Sequence, residues 1–309
     1  MDINKIYCCD CLKGLGGLPD NSIDCCVTSP PYFNLRDYGV EGQIGLENSP
    51  DEYIRVLVEV FAEVRRVLRP TGTLWVNIGD SYAGSGKGAA RYPDSVKNTK
   101  QGTNKGSVGC AAIVKTFEGY KRKDLIGIPW MLAFGLRAAG WYLRQDIIWA
   151  KPNPMPESVQ DRCTKAHEYI FLLSKSPKYY YNAAAIQEVS VAGWRGSRFD
   201  DGKNAVVHPN VGKGERQGEL GFRNKRSVWV VPPAGYHNAH FATYPEELVR
   251  DCILAGAPEG GIVLDPFMGS GTTGIVARKL NRNFIGFELN TDYVDMAYAR
   301  MRAELGLFL

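Results

Sequence analysis

Near its C-terminal end the chain passes from an apolar run, Gly261-Ile262-Val263-Leu264, through Asp265 into the glycine turn Gly269-Ser270-Gly271. A helical segment then reaches Leu280, and a second apolar run, Phe284-Ile285-Gly286-Phe287, ends at Glu288. Strand, turn, helix and strand in that order imply parallel α/β structure, because the helix must cross back over the sheet before the next strand starts. Gly269, Gly271 and Gly274 satisfy G-x-G-x-x-G. Small residues at such a turn let backbone amides approach a ligand at the helix N-terminus. Glu288, closing the next strand, is placed to accept from both hydroxyls of a ribose. This geometry admits NAD and S-adenosylmethionine alike, since each carries an adenosine ribose. A nucleoside triphosphate fits less well: neither Gly269-Ser270-Gly271-Thr272 nor Gly84-Ser85-Gly86-Lys87-Gly88 has the Lys-Ser/Thr ending of a P-loop.

The first eighty residues repeat the pattern. Ile6-Tyr7-Cys8-Cys9 and Ile23-Asp24-Cys25-Cys26-Val27 read as two buried strands. Pro50-Asp51-Glu52-Tyr53 then opens an amphipathic helix with Ile54, Leu57, Val58, Phe61, Val64 and Leu68 at helical spacing. Arg69-Pro70-Thr71-Gly72 stops it, and Thr73-Leu74-Trp75-Val76-Asn77-Ile78 reads as a strand. Further on, the pattern predicts a helix starting at Ile128-Pro129-Trp130, strands at Gln145-Asp146-Ile147-Ile148-Trp149 and Tyr169-Ile170-Phe171-Leu172-Leu173, and a helix from Pro245 to Ala255.

Two Gly-rich segments interrupt this order. Residues 84–123 hold nine Lys and Arg against two Asp and Glu, and residues 185–235 hold eight against five. The whole chain carries only +4, so the remaining body is net acidic. An acidic body with basic arms fits a polyanionic partner.

Eight cysteines in 309 residues do not make a disulfide scaffold, and a reducing compartment suits them. Cys8 and Cys11 have C-x-x-C spacing, but no second pair or His pair completes four ligands, and His167, His208 and His237 lack ligand spacing. No metal is expected. No apolar stretch is long enough to cross a bilayer, and the N-terminus lacks a signal-peptide profile, so the expected location is cytoplasmic, away from membranes.

Val27-Thr28-Ser29-Pro30-Pro31-Tyr32 ends a strand with two prolines. Prolines fix the backbone, so the Pro30 carbonyl and the Ser29 hydroxyl could together accept both hydrogens of an exocyclic amine. Such bonds bias the nitrogen lone pair toward a sulfonium methyl, and Tyr32 could stack on a base taken out of a duplex.

These elements together resemble the beta group of DNA amino-methyltransferases, the N4-cytosine and N6-adenine enzymes. Ser29, Pro30, Pro31 and Tyr32 match the family's catalytic S/D-P-P-Y element. Asp265, Pro266, Phe267, Gly269, Ser270, Gly271, Thr272 and Thr273 match its methionine-binding D-P-F-x-G-S-G-T-T, and Phe284 to Asn290 match the strand with the ribose-binding acid, Glu288. Asp10, beside Cys11, aligns with the acid that contacts adenine. Ala239-His240-Phe241-Ala242-Thr243-Tyr244-Pro245 resembles the segment closing over the methionine end, and Trp149-Ala150-Lys151-Pro152-Asn153 a block near the flipped base.

The resemblance implies an α/β fold: a doubly wound, mostly parallel, seven-stranded Rossmann-like sheet, circularly permuted, with an inserted target-recognition region. Residues 1–184 would form the catalytic half, 185–235 the target-recognition region and 236–309 the cofactor half. The implied donor is S-adenosyl-L-methionine and the implied partner DNA, held by Lys121, Arg122, Lys151, Arg223, Lys225 and Arg226. A cognate restriction endonuclease and a homodimer are the further partners it suggests. Ser29, where adenine enzymes usually have Asp or Asn, favours the N4 amine of cytosine over the N6 amine of adenine. No Pro-Cys dipeptide occurs, which argues against covalent C5 chemistry. A nicotinamide dehydrogenase would leave Ser-Pro-Pro-Tyr unexplained, and intact motifs argue against a DNA-binding protein that has lost catalysis.

Overall fold

The computed structural model describes residues 1–84, 117–190, 221–233 and 244–306. The chain begins with β1 (Lys5–Cys8), α1 (Cys11–Gly16), β2 (Ile23–Thr28), α2 (Pro50–Val67), β3 (Leu68–Ile78), α3 (Ile128–Ala138), β4 (Tyr142–Ala150) and β5 (His167–Ser174). It continues with β6 (Glu188–Ser190), β7 (Gly221–Arg223), β8 (Val228–Val230), α4 (Glu246–Gly256), β9 (Ile262–Asp265), α5 (Thr272–Lys279), β10 (Asn283–Glu288) and α6 (Thr291–Leu305). Among the described residues the main sheet has the order β1-β10-β9-β2-β3-β5-β4-β8. Only β5 runs against its neighbours; every other adjacent pair is parallel. The sheet thus has eight strands, one more than expected. The addition is β8, three residues from the second basic segment that lie along β4. β6 and β7 form a separate antiparallel ribbon.

Alternation along the strands divides the core into two layers, because successive strand residues face opposite sides. Cys26, Leu74, Val76 and Phe171 pack under α1, α2 and α3 on one face. Cys25, Val27, Trp75 and Ile170 pack with α4, α5 and α6 on the other. α2 illustrates how the sequence sets an element. The Ser49 hydroxyl accepts from the Glu52 N–H at 3.1 Å, Pro50 occupies the first turn, and Tyr53, Leu57, Val60, Phe61 and Val64 form its buried stripe. The helix stops at Val67, one residue earlier than its apolar spacing suggests, because Leu68 already belongs to β3.

The β1 reading needs one correction. Cys8 is exposed rather than buried, since β1 is an edge strand, while Cys11 is buried on α1. Burial pushes the Cys11 thiol up to about 12. No helix among the described residues is long and apolar enough to cross a membrane.

The site is positioned by the neighbouring strands β2 and β9, which are parallel, with Cys25 opposite Val263 and Cys26 opposite Leu264. After β2 the chain leads to α2 on one face; after β9 it leads to α5 on the other. Their C-terminal loops therefore part at a topological switch point, where a crevice opens in an α/β sheet. β3, β4 and β10 end at the same edge, and the reversed β5 begins there.

Candidate active site

A cavity of about 650 Å³ occupies this crevice, and both diagnostic loops line it. On one wall stand Pro266, Phe267, Gly269, Ser270 and Thr272. Gly269 and Gly271 have φ of 52° and 83°, a conformation costly for other residues, and a side chain at Gly271 would meet Ala297 at 2.9 Å. The Arg300 guanidinium, buried behind the loop, donates to the Ser270 carbonyl (2.9 Å), the Ser270 hydroxyl (3.0 Å) and the Thr272 hydroxyl (3.1 Å). Asp265, Gly271 and Thr273 stand behind the cavity wall and brace it.

Asp265 joins the two motifs. It is fully buried and accepts from the hydroxyls of Thr28 and Thr273, each at 2.6 Å, from the Phe267 N–H at 3.0 Å and from the Tyr244 hydroxyl at 3.2 Å. Burial raises its pKa, and these donors act in the opposite direction. Thr28 immediately precedes Ser29, so this carboxylate fixes the start of the Ser29–Tyr32 loop to the floor of the glycine turn.

Glu288, at the end of β10, lines the same wall. One oxygen accepts from Gly269 N–H at 2.8 Å and the other from Asn290 N–H at 2.9 Å, which orients the carboxylate. Burial pushes its pKa up. Asn290 lines the wall and caps α6 through Asp292 N–H at 2.9 Å. Asp10 caps α1 by accepting from Lys13 N–H at 3.0 Å, and it lines the cavity with Cys11. Carboxylates held in this way have lone pairs for hydroxyl or amino donors, so the wall suits a ribose diol and an adenine amine. An S-adenosylmethionine molecule fits this donor set. His240, Phe241 and Thr243 lie outside the described residues.

The same cavity is lined by Ser29, Pro30, Pro31 and Tyr32. The Tyr53 hydroxyl donates to the Pro31 carbonyl at 2.8 Å, which fixes the loop from below. The Tyr32 hydroxyl donates to Glu168 at 2.5 Å, and burial together with that carboxylate raises its pKa well above the ordinary phenol value. A side chain at Gly79 would come within 2.7 Å of the Tyr32 ring, so glycine there makes room for it. Lys151 donates to the other Glu168 oxygen and lies 4.2 Å from the centre of the Trp149 ring. Asn77 donates to Glu168 and to the Tyr169 carbonyl, both at 3.2 Å.

Sequence reasoning missed Asn77, Glu168 and Arg300, and named Tyr244 only as part of the segment 239–245. Two of them carried a signal: Asn77 is a polar residue inside an apolar strand, and Glu168 opens one. The reversed direction of β5 is what brings Glu168 beside the ends of β3 and β4.

The residues expected to hold DNA have varied surroundings. Lys121 and Arg122 are exposed, with Lys121 3.3 Å from Asp124. Arg223 and Arg226 share Glu188, at 2.7 and 2.5 Å. Lys225 pairs with the buried Asp251 at 2.6 Å and packs over Trp229, and Lys151 is held in the cavity by Glu168. The rest of the two basic segments, 85–116, 191–220 and 234–235, lies outside the described residues.

Comparison with known proteins agrees with this geometry. A DNA methylase family model covering N6 and N4 methyltransferases matches residues 23–299. The chain is 48% identical over 295 residues to the type II methyltransferase M.Cfr9I of Citrobacter freundii, covering 96% of this chain and 86% of that one. It is 46% identical over 297 residues to the type II methyltransferase M.SmaI of Serratia marcescens, covering 96% and 90%. Among solved structures, the PvuII DNA methyltransferase (cytosine-N4-specific) superposes with a TM-score of 0.63 at 19% identity, over 96% of this chain and 85% of that one. A DNA modification methylase of Thermus thermophilus, complexed with S-adenosyl-L-methionine, gives 0.61 at 22% identity, over 98% and 95%. With the family model spanning most of its length and close relatives matched nearly end to end, the chain is a DNA methyltransferase and belongs to the N6/N4 DNA methylase family.

Proposed function

We propose that this enzyme methylates the exocyclic N4 amine of cytosine at a specific DNA site, using S-adenosyl-L-methionine. The observation that carries the reading is that Ser29 to Tyr32, the glycine turn and Glu288 all line one cavity. The cofactor supplies an electrophilic methyl group on a sulfonium sulfur. The chain's own residues do the rest. Glu288 and Asp10 would accept hydrogen bonds from the cofactor's nucleoside, and Phe267 to Ser270 would line the cavity around the rest of it. Ser29 and the Pro30 carbonyl would accept the two amine hydrogens, which turns the nitrogen lone pair toward the methyl; as the N–C bond forms the S–C bond breaks with its electron pair kept on sulfur, and one amine proton is released to solvent. Tyr32 offers its ring to a base that has left the duplex stack, a step that any enzyme acting on a paired base requires.

Ser29 favours cytosine over adenine, and the cytosine-N4 specificity in the name of the PvuII enzyme points the same way. Lys121, Arg122, Arg223 and Arg226 are the proposed phosphate contacts. Lys225 and Lys151, each held by a carboxylate, would act from within the fold. Residues 185–235 remain the proposed target-recognition region. A cognate restriction endonuclease is the proposed biological partner, as expected for a relative of type II methyltransferases.

The test is methyl transfer to unmethylated DNA of mixed sequence, followed by digestion and nucleoside mass spectrometry. N4-methylcytosine is the expected product. N6-methyladenine would overturn the reading of Ser29, and no methylated nucleoside in the presence of bound cofactor would overturn the activity.

A further inference from the structure

A serine hydroxyl is an ambiguous partner for an amine: it can donate its own proton or offer its lone pairs. For Ser29 to hold an amine hydrogen, its proton must point elsewhere, and the site contains a device that directs it. The Asn77 amide nitrogen donates to Glu168 and to the Tyr169 carbonyl, each at 3.2 Å. Both partners are acceptors, so the amide cannot be flipped without losing both bonds, and the Asn77 oxygen must face the catalytic loop. There it lies 3.4 Å from the Ser29 hydroxyl and 3.2 Å from the Tyr32 hydroxyl. Tyr32 has one proton, and the carboxylate of Glu168 at 2.5 Å is the stronger acceptor for it. The Asn77 oxygen is thereby left free of the Tyr32 proton and, together with the Tyr32 oxygen that Ser29 also reaches, accepts the proton of Ser29 away from the substrate side. Asn77 is 4% exposed and meets solvent only through the cavity that it lines.

We infer that Asn77, locked by Glu168 and Tyr169, is a positioning residue that makes Ser29 an obligate acceptor toward the substrate amine. A serine held in this way presents lone pairs as a carboxylate would, without a charge beside the reacting methyl. The neutral Asn77 directs the proton of Ser29 and does not remove it, so no net proton leaves the pair. The inference rests on the proposed amine methylation.

The test is a double-mutant cycle read as single-turnover methyl transfer at saturating cofactor and DNA. Asn77→Ala and Ser29→Ala are each expected to slow transfer by about tenfold or more, equivalent to the loss of one oriented hydrogen bond. The double variant is expected to match Ser29→Ala alone within about twofold, because Asn77 acts only through Ser29. Penalties that multiply would overturn the inference, since a structural role for Asn77 would persist without the hydroxyl. Cofactor affinity, measured by calorimetry, should remain within about twofold throughout; a parallel loss of affinity would also overturn it. If Asn77→Ala does not fold, Asn77→Ser, which keeps a polar group for Glu168, is judged in the same cycle by the same criterion. A wild-type enzyme that methylates DNA while the cycle is additive refutes this inference alone. A wild type that methylates no DNA base refutes the proposed function beneath it.

Discussion

Replacing Asp265 with alanine is expected to lower unfolding stability by about 3–5 kcal/mol, seen as an earlier midpoint in urea. Four donors converge on this fully buried carboxylate. Each buried donor left without a partner costs about 1–3 kcal/mol, and hydroxyl rotation recovers part of the sum. The Thr273 hydroxyl has two other oxygens in reach, Val27 carbonyl at 3.4 Å and the hydroxyl of Tyr244, whereas Thr28 has only Asp265 among its hydrogen-bond partners described above. The damage therefore concentrates at the residue preceding Ser29. Methyl transfer should fall even below the denaturation range, because the Ser29–Tyr32 loop loses its anchor to the glycine turn. A stability change under about 1 kcal/mol would show that the carboxylate is not the tie between the two motifs.

Tyr32→Ala is expected to slow single-turnover methylation by about 10- to 100-fold, with cofactor affinity within about twofold of wild type. Stacking of a base on an aromatic ring contributes about 1–3 kcal/mol, which corresponds to that range of rate. Tyr32→Phe separates ring from hydroxyl. It keeps the face that Gly79 makes room for and removes only the donor to Glu168, which retains Asn77 and Lys151. The phenylalanine variant should therefore keep most of the rate that alanine loses. If Tyr32→Ala instead weakens cofactor binding and leaves the transfer rate intact, Tyr32 belongs to the donor side of the cavity.

Much of this arrangement was legible from local sequence. The α2 stripe, the proline-broken end of β2 and the β9-turn-α5-β10 unit follow from periodicity and turn chemistry, which act within a dozen residues. The cleft is a consequence of the strand order, because parallel strands flanking a switch point bring their C-terminal loops together. The polar network was not legible. Asn77, Glu168 and Lys151 meet because β5 runs antiparallel between β3 and β4, and no local pattern encodes strand direction. Arg300 supports the glycine turn from thirty positions away, and β8 is too short to show alternation. Cys8 was misread as buried because an apolar neighbourhood does not reveal that a strand lies at the sheet edge.

On the proposed mechanism, the residues around Glu288 hold the methyl donor and the Ser29–Tyr32 loop holds the methyl acceptor, with separate duties in one cavity. The most direct measurement pairs equilibrium affinity for S-adenosyl-L-methionine with the maximal transfer rate, in Glu288→Gln and Ser29→Ala. Glu288→Gln is expected to weaken cofactor affinity by about tenfold or more, as loss of a charge-assisted acceptor for hydroxyl donors. Ser29→Ala should leave affinity unchanged and lower the rate. Cofactor binding that is indifferent to Glu288→Gln, or that collapses in Ser29→Ala, would contradict the division of the cavity on which the mechanism stands.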